Sequence, residues 1–398
     1  MSTRKDQIVH STSSTKSPTK IFARRLFDGT NDSHLENQII EIRQGKIVDV
    51  RSSEPGEENS AGVISADIVA PGFIDIQING ANDIQFNDDV TVDALARMAY
   101  GARQGGTAYI LPTFITAQDM QYVKAIDTVK VALRNKLPGI LGLHLEGPFL
   151  SRERPGIHEK SCIRVMNDTD IAHLTEPFDG ALLVTVAPET LPSKALNTLV
   201  DAGVMVFAGH SDASSDVMQQ AEENGLRGTT HLFNAMSQLT VREPGVVGAT
   251  LSSDSLYAGI IADGHHVNWM NIKIAVKQMS KRLCLVTDAM LTLAGARQEF
   301  TLHGETIRLR NGRLTNAEDR LAGAHVAMDQ SVRNMVKNTD VPLSQALRMA
   351  SRNPAEAIGY GHELGQVKRG FRASLSLLTE DLHASGVVVD GEYFEQVI

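Results

Sequence analysis

Eight short apolar runs recur through the middle of the chain. Each run is almost continuously apolar, with little alternation between apolar and polar positions. Strands that are buried on both faces have this pattern, as in parallel sheets covered by helices. We therefore predict eight parallel strands. The runs are FIDIQIN (73–79), TAYILPT (107–113), ILGLHLE (140–146), ALLVTVA (181–187), VMVFAGH (204–210), TTHLFN (229–234), LYAGIIAD (256–263) and LCLVTDA (283–289).

Helical patterns lie between these runs. Apolar residues recur at spacings of three and four from Leu95 to Ala102, and again from Met120 to Leu133. This spacing is typical of the buried face of an amphipathic helix. Eight strands that alternate with helices predict an α/β fold, a (β/α)8 TIM-type barrel. A doubly wound open sheet is the alternative.

The two ends of the chain have a different pattern. KIFARRLFDG and QIIEIRQGKIVDV near the start, and ASLSLLT and GVVVDGEYF near the end, are β-like runs separated by turn residues. We predict a small β-sandwich domain formed by both termini, over residues 19–69 together with 362–398. The barrel then spans 70–361, and the polar, Ser/Thr/Lys-rich residues 1–18 form a flexible tail.

Further elements are predicted after the eighth run. A hairpin between Phe300 and Leu314 turns at Asn311-Gly312, a pair that favours tight hairpin turns. Two helical segments follow, around residues 327–337 and 343–352.

Composition narrows the class of protein. The formal net charge is 38 − 47 = −9, and a surface of that sign repels a polyanion, so we expect no nucleic-acid partner. No run reaches the roughly 18 apolar residues of a membrane span, so we expect no membrane partner. The only two cysteines, Cys162 and Cys284, exclude a disulfide scaffold and a cysteine-based zinc site. These features suggest a cytoplasmic enzyme.

Candidate metal ligands lie at the ends of the predicted strands, where TIM barrels place their catalytic groups. Glu146 ends strand three, His210 ends strand five, and His231 lies on strand six. Two histidines and one carboxylate with an open position form a typical catalytic zinc site. The alternatives are a carboxylate that caps the next helix and histidines that are hydrogen bonded in the core.

Two more residues are candidates for catalysis. Asp288 ends strand eight, where an aspartate can take a proton from an activated water and return it to a leaving group. Its alternative role is that of an N-cap for the following segment. His158 lies in the loop after strand three and could polarise a substrate carbonyl; as a loop histidine, it could equally have no such role.

These residues belong to motifs that carry a resemblance to a known family. Their order resembles the N-acetylglucosamine-6-phosphate deacetylase family of the amidohydrolase superfamily, and the similarity extends to NPAEAIG at 353–359. The motifs are PGFIDIQING (71–80), HLEGPF (144–149), GHSDA (209–213), THLFNAM (230–236), REPG (242–245), ADGHHV (262–267), VTDA (286–289) and LAG (321–323).

The resemblance implies a barrel with a small β domain, a homodimer, and hydrolysis of the acetamide of a hexosamine 6-phosphate. It implies that Glu146, His210 and His231 bind the metal, that Asp288 is catalytic, and that His158 contacts the substrate carbonyl. It also implies a set of substrate contacts, with one of the two phosphate contacts, Arg242 and His266, coming from the neighbouring subunit. The substrate-binding set is Ile157, His158, Asn234, Ala235, Arg242, His266, Leu321, Ala322 and Gly323.

One departure concerns the metal content. Many amidohydrolases carry His-x-His at the end of strand one for a second metal, where this chain has Gln77-Ile78-Asn79. An amide is a poor ligand beside imidazole, so we expect one divalent ion per subunit. Zinc suits two imidazoles and a carboxylate best, and iron, cobalt, nickel or manganese are the alternatives. A second departure is Ile157, in a loop that is more polar in members of the family. The resemblance places this loop beside the sugar, so the identity of the sugar is left open.

Three other functions remain open. An N-acetylgalactosamine-6-phosphate deacetylase would share the chemistry and differ at the sugar C4 hydroxyl. A cyclic-amide hydrolase is disfavoured, because such enzymes use the His-x-His site and a bridging carboxylated lysine. A protein of another class would bind amino-sugar phosphates without catalysis; the retained ligands and Asp288 argue against it.

Overall fold

The computed structural model describes residues 19–396. The tail predicted for residues 1–18 lies outside this range, as do the last two residues.

The eight apolar runs form the eight-stranded sheet that the sequence predicts. Every hydrogen-bonded neighbour in this sheet is parallel, and the strands follow chain order. Barrel strands one to eight are Phe73–Ile78, Thr107–Ile115, Gly142–Glu146, Ala181–Val186, Met205–Ala208, Gly228–Thr229, Tyr257–Ile261 and Leu283–Val286.

The sheet closes between its last and first strands. Ile78 pairs with Ala289 in a parallel bridge just beyond the end of strand eight. The amide of Asp288 donates to the carbonyl of Gln77 at 2.9 Å, and the amide of Asn79 donates to the carbonyl of Ala289 at 2.8 Å. Closure makes the TIM-type barrel and excludes the open-sheet alternative. It also fixes Asp288 beside the end of strand one.

Ten α-helices occur within residues 19–396, and several cover the barrel. The helices predicted from the periodicity after strands one and two are present, as are both segments predicted after strand eight. Met98 and Val129, from the first two helices, lie in one buried cluster with Val184 of strand four. The helices are Val92–Arg103, Gln121–Arg134, Asp168–Leu174, Ala195–Asp201, Ser215–Glu223, Gly245–Ser252, Trp269–Met279, Met328–Thr339, Leu343–Ala350 and Arg352–Ala357. None of them is both long and apolar enough to cross a membrane.

Both ends of the described chain join in a second sheet, which confirms the small β domain. Its strands are hydrogen bonded into one seven-stranded sheet, antiparallel except for the parallel pairing of Lys20–Leu26 with Val63–Pro71. Val63–Pro71 joins the N-terminal and C-terminal strands, because its other neighbour is Leu375–Leu378 near the C-terminus. In sheet order the strands are Glu392–Glu395, Ala384–Val389, Leu375–Leu378, Val63–Pro71, Lys20–Leu26, Leu35–Arg43 and Lys46–Ser52.

A third sheet follows barrel strand eight. It contains the predicted hairpin, whose turn residues Asn311 and Gly312 have φ values of 51° and 76°, as a type I′ turn requires. Phe300 and Ile307 of this sheet pack against Met290 in a separate apolar cluster. We call this sheet the insert; its antiparallel strands are Glu299–Leu302, Glu305–Arg310, Arg313–Thr315 and Leu321–Ala324.

Candidate active site

The predicted ligands and the predicted catalytic aspartate gather at the carboxyl ends of the barrel strands. Glu146 is the last residue of strand three, and His210, His231 and Asp288 each follow two residues after the end of a strand. Because the strands are parallel, these ends share one rim of the barrel.

Strand six is shorter than predicted. It ends at Thr229, so His231 and Asn234 lie in the loop that follows and not on the strand. The backbone explains the difference, because His231, Phe233 and Ala235 have φ values of 31°, 80° and 47°. A strand cannot continue through positive φ angles. The coiled backbone turns the His231 side chain towards Glu146.

Three atoms that could bind a metal form a compact triangle, one from each predicted ligand. Nε2 of His231 lies 2.8 Å from Oε1 of Glu146, and Nε2 of His210 lies 3.0 Å from the same oxygen. The two Nε2 atoms are 3.1 Å apart, and all three residues are buried. The structure thus brings together the three predicted ligands.

The second nitrogen of His210 is also held. Its Nδ1–H donates to the backbone carbonyl of Arg154 at 3.0 Å, so the neutral ring carries its lone pair on Nε2. That lone pair points into the triangle, towards the second imidazole and a carboxylate oxygen. Two imidazole nitrogens and one carboxylate suit a divalent ion such as zinc, so these residues fit the metal that the sequence predicts.

Electrostatics support this interpretation. Burial raises the pKa of Glu146, but its close contacts with the His210 and His231 imidazoles outweigh burial and hold that pKa well below its ordinary value. Burial likewise lowers the pKa of His231, but the hydrogen bond with Glu146 raises it above its usual value. The site therefore favours a carboxylate with positive charge close to it.

Asp288 is held by two amides from strand one. Nδ2 of Asn79 donates to Oδ1 of Asp288 at 2.6 Å, and Nε2 of Gln77 lies 3.3 Å from the same oxygen. Nε2 of Gln77 also lies 3.3 Å from Oε2 of Glu146. Burial, and then the nearby Glu146 carboxylate, raise the pKa of Asp288 to about 6. A group with this pKa can accept and return a proton near neutral pH.

His158 lies beside the triangle. Its Nδ1 lies 2.8 Å from Oγ1 of Thr116, and its Nε2 lies 3.9 Å from Oε1 of Glu146. Glu146, His158 and His210 could therefore also be grouped as metal ligands. The distances favour His231 as the third ligand, since its Nε2 is about 1 Å closer to Glu146. Burial, and then the neighbouring His210, hold the pKa of His158 well below its ordinary value.

Thr116 is a polar residue of the site that was not among the sequence candidates. Those candidates lie at or after other strands of the barrel. Thr116 is the first residue after Thr107–Ile115, and it is buried. Its signal in the sequence is its position, as a polar residue directly after a buried strand.

A cavity of about 480 Å³ lies next to His158. Ile157 and His158 line it together with Leu321 and Ala322 of the insert. Gly323 is the next residue of the same insert strand. The structure thus brings the predicted pocket segment 321–323 close to the predicted carbonyl contact, on a scale suited to a small molecule.

Two of the remaining predicted contacts, Asn234 and Ala235, lie beside the triangle. Nδ2 of Asn234 donates to the carbonyl of His231 at 3.2 Å, and Ala235 lies near Gly156. Nδ1–H of His266 donates to Oδ2 of Asp263 at 2.7 Å, which leaves Nε2 available. Arg242 is exposed. Neither Arg242 nor His266 lines the cavity beside His158.

Comparison with known proteins identifies the family. The model of the amidohydrolase family matches residues 68–393, which includes the whole barrel and the three predicted metal ligands. The chain belongs to the amidohydrolase family. This amidohydrolase is 38% identical to the N-acetylglucosamine-6-phosphate deacetylase of Haemophilus influenzae, over 86% of the chain and 91% of that protein. It is 34% identical to the N-acetylgalactosamine-6-phosphate deacetylase of a Shewanella species, over 92% and 94%.

Solved structures agree with the fold. The amidohydrolase resembles the N-acetylglucosamine-6-phosphate deacetylase of Pasteurella multocida with a TM-score of 0.89 and 34% identity, covering 95% of this chain and all of that one. It also resembles a variant of the Mycobacterium smegmatis deacetylase in complex with N-acetyl-D-glucosamine-6-phosphate. There the TM-score is 0.85 at 30% identity, over 95% of this chain and 99% of that one.

Proposed function

We propose that this amidohydrolase hydrolyses the acetamide of N-acetylglucosamine 6-phosphate to glucosamine 6-phosphate and acetate. The observation that carries the proposal is the convergence of Glu146, His210 and His231 next to Asp288. This arrangement occurs in a chain whose relatives are named for that reaction. The product fits amino-sugar catabolism.

The triangle is the proposed metal site, with Glu146, His210 and His231 as the ligands of one divalent ion. When bound, such an ion acts as a Lewis acid that polarises the amide carbonyl and acidifies water. Zinc is the ion proposed, because two imidazoles and one carboxylate are its usual partners in catalytic sites. Gln77 and Asn79 donate hydrogen bonds at the position where a second ion would need lone pairs.

Asp288 is the proposed base and acid. Asn79 and Gln77 hold its Oδ1, so its Oδ2 is the oxygen that remains to take a proton from the attacking water. The water oxygen bonds to the amide carbon, and the carbon–nitrogen bond then breaks. Asp288 returns its proton to the departing amine. A carboxyl with a pKa of about 6 can do both near neutral pH.

His158 is the proposed contact for the acetyl oxygen. It lies at the border between the triangle and the cavity, and its Nε2 is directed towards Glu146. A hydrogen on Nε2 would stabilise the negative charge that develops on this oxygen. Ile157, Leu321, Ala322 and Gly323 then form the walls around the acetamide and the sugar.

The phosphate is proposed to bind His266 and Arg242, near Asn234 and Ala235. Asp263 orients His266 so that its Nε2 faces away from the protein's own carboxylate. Arg242 is a permanently charged, bidentate donor, the type of group that suits a phosphate. It is exposed in the single chain, so a partner is needed to enclose it.

We propose that this partner is a second copy of the chain. Arg242 directly follows a segment whose large apolar side chains a monomer leaves exposed: Val241 is 100% and Leu239 60% exposed. Met270 and Ile274, one turn apart on the helix that follows His266, are 71% and 48% exposed. A homodimer that covers both surfaces would bring Arg242 of one subunit to the phosphate site of the other.

A complementation experiment tests the shared site. Arg242→Ala and His266→Ala subunits are co-expressed with two different tags, and the mixed dimer is purified. If the two residues act across the interface, each mixed dimer has one intact site and regains about half of the wild-type activity per dimer. If both residues act within one subunit, both sites are damaged and the mixed dimer regains nothing.

Domain limits and location complete the proposal. We place the small β domain at residues 19–69 with 362–398 and the barrel at 70–361, limits supported by the strands of the terminal sheet. A cytoplasmic location is supported by the two cysteines, which are both free.

Two substrates need a direct comparison. A relative at 34% identity is named for the galactosamine epimer, so the C4 hydroxyl must be tested. Acetate release is measured with N-acetylglucosamine 6-phosphate and with its galacto epimer, each with and without chelator. A higher kcat/KM for the gluco substrate, abolished by chelator, is expected. A preference for the galacto substrate would overturn the proposed identity of the sugar. No acetate release from either substrate would indicate a binding protein without catalytic activity.

A further inference from the structure

Thr116 makes two polar contacts that a single hydroxyl hydrogen cannot serve together. Its Oγ1 lies 2.8 Å from Nδ1 of His158 and 3.2 Å from the backbone carbonyl oxygen of Glu146. Thr116 is only 1% exposed, so water has little access to either contact. The direction of the hydroxyl therefore determines which nitrogen of His158 carries the hydrogen in the neutral ring.

The two directions give His158 opposite properties. If Thr116 donates to the Glu146 carbonyl, its oxygen must accept from Nδ1–H, and Nε2 of His158 then carries a lone pair. That nitrogen could bind a metal but could not donate to a carbonyl oxygen. If Thr116 donates to Nδ1, Nε2 carries the hydrogen and becomes a donor.

We infer that Thr116 is a positioning residue that donates to Nδ1 of His158 and thereby keeps the hydrogen on Nε2, the nitrogen proposed to contact the acetyl oxygen. The shorter of its two contacts is the one to Nδ1. In addition, Nε2 lies 3.9 Å from Oε1 of Glu146, so an N–H group there faces a carboxylate favourably and a lone pair would not. The inference deepens the proposed function, on which it rests.

The backbone next to the metal triangle leaves room for this hydroxyl. Gly147 follows Glu146 with a φ of 85°, and a side chain at this position would overlap Oγ1 of Thr116. The residue after a metal ligand is thus a glycine that gives the hydroxyl its space. The Thr116 hydroxyl therefore lies against the backbone of Glu146 and Gly147, and the same hydroxyl contacts His158.

Substitution of Thr116 tests the inference on activity. Thr116→Val keeps the shape and loses the donor, and Thr116→Ser keeps the donor. For Val we expect kcat to fall about 10- to 100-fold, less than the roughly 10²–10³-fold cost of removing an oxyanion donor outright, with KM little changed. For Ser we expect kcat within about threefold of wild type. Thr250→Val is the matched control, because Thr250 is fully buried but only bonds Val246 within its own helix.

A spectroscopic readout is independent of activity. Nitrogen-15 spectra of histidine-labelled protein report which ring nitrogen carries the hydrogen, and the His158→Gln variant assigns the signal. We expect the hydrogen on Nε2 in the wild type and in Thr116→Ser, and a shift towards Nδ1 in Thr116→Val. This measurement on the wild type stands even if the Val variant does not fold.

Each contrary result has a separate meaning. A hydrogen on Nδ1 in the wild type, or an unchanged kcat in a folded Thr116→Val, would overturn the inference. A wild-type protein that releases no acetate would overturn the proposed function instead, and the spectra would still decide the tautomer.

Discussion

Asn79 donates a hydrogen bond to Asp288 at 2.6 Å, across the seam where barrel strand eight meets strand one. The Asn79 amide gives a hydrogen to the carboxylate, whereas a histidine at this position, as in a two-metal amidohydrolase, would offer a lone pair to a metal. Asp288 is therefore oriented by hydrogen bonds and remains free to carry a proton. The same seam is fixed by the backbone contact between Asp288 and Gln77.

Removal of the Asn79 amide should move the pH dependence of the reaction. The hydrogen bond from Asn79 stabilises the ionised form of Asp288, whose pKa is raised to about 6 by burial and by Glu146. In Asn79→Leu this pKa rises further, so the base form is lost at a higher pH. We expect the acidic limb of the kcat–pH profile to move upwards, and an unmoved limb would contradict this role.

Asp288→Asn should separate binding from catalysis. The variant keeps the metal ligands but cannot accept a proton, so turnover should fall by at least about 10³-fold, given that it loses both base and acid. Metal content and substrate affinity should remain close to wild type. Asp340→Asn, at an exposed helix end, is the control. Near-normal acetate release from Asp288→Asn would rule out the assignment.

Arg242→Ala should affect phosphorylated substrates selectively. A charge-assisted contact contributes about 1.5–3 kcal/mol, so kcat/KM for N-acetylglucosamine 6-phosphate should fall about 10- to 100-fold. The smaller activity on unphosphorylated N-acetylglucosamine should change little. Arg369→Ala, at an exposed turn of the small domain, controls for the loss of charge. Equal losses on both substrates would argue against a phosphate contact.

Metal removal should lower stability as well as activity. A ligand that binds only the folded state adds about 2.7 kcal/mol when present at 100 times its Kd. The chelated protein should therefore unfold at a lower temperature, and zinc should restore Tm and activity together.

Glu146→Gln provides the corresponding test on the ligands. It removes the carboxylate shared by both histidines, so Tm should no longer respond to zinc. His362→Ala, an exposed histidine outside the site, should keep the full response. A zinc response in Glu146→Gln equal to that of the wild type would place the ion elsewhere.

The sequence predicts the parts of this fold that depend on local pattern. Runs such as ALLVTVA are strands because they are buried on both faces, and Glu146, His210 and Asp288 could be located because they follow such runs directly. Strand six was predicted too long, since TTHLFN is apolar enough for a strand while its backbone coils from His231 onwards.

Two aspects of the site depend on contacts that a sequence pattern does not encode. Thr116 is an ordinary residue after a strand, and its importance comes from two neighbours more than 25 positions away in the chain. Gln77 and Asn79 could be recognised as poor metal ligands. Their hydrogen bonds to Asp288 depend on closure of the barrel, which joins residues about 210 positions apart.

The terminal sheet sets an order of events during biosynthesis. Val63–Pro71 is made early, but its partner Leu375–Leu378 leaves the ribosome only after every barrel strand. Until then one edge of Val63–Pro71 is open, and Ile68, Val69 and Ala70, all fully buried in the finished protein, lack that cover. The nascent chain therefore carries an unpaired strand edge for most of its translation, and a premature stop before Leu375–Leu378 would leave that edge permanently exposed.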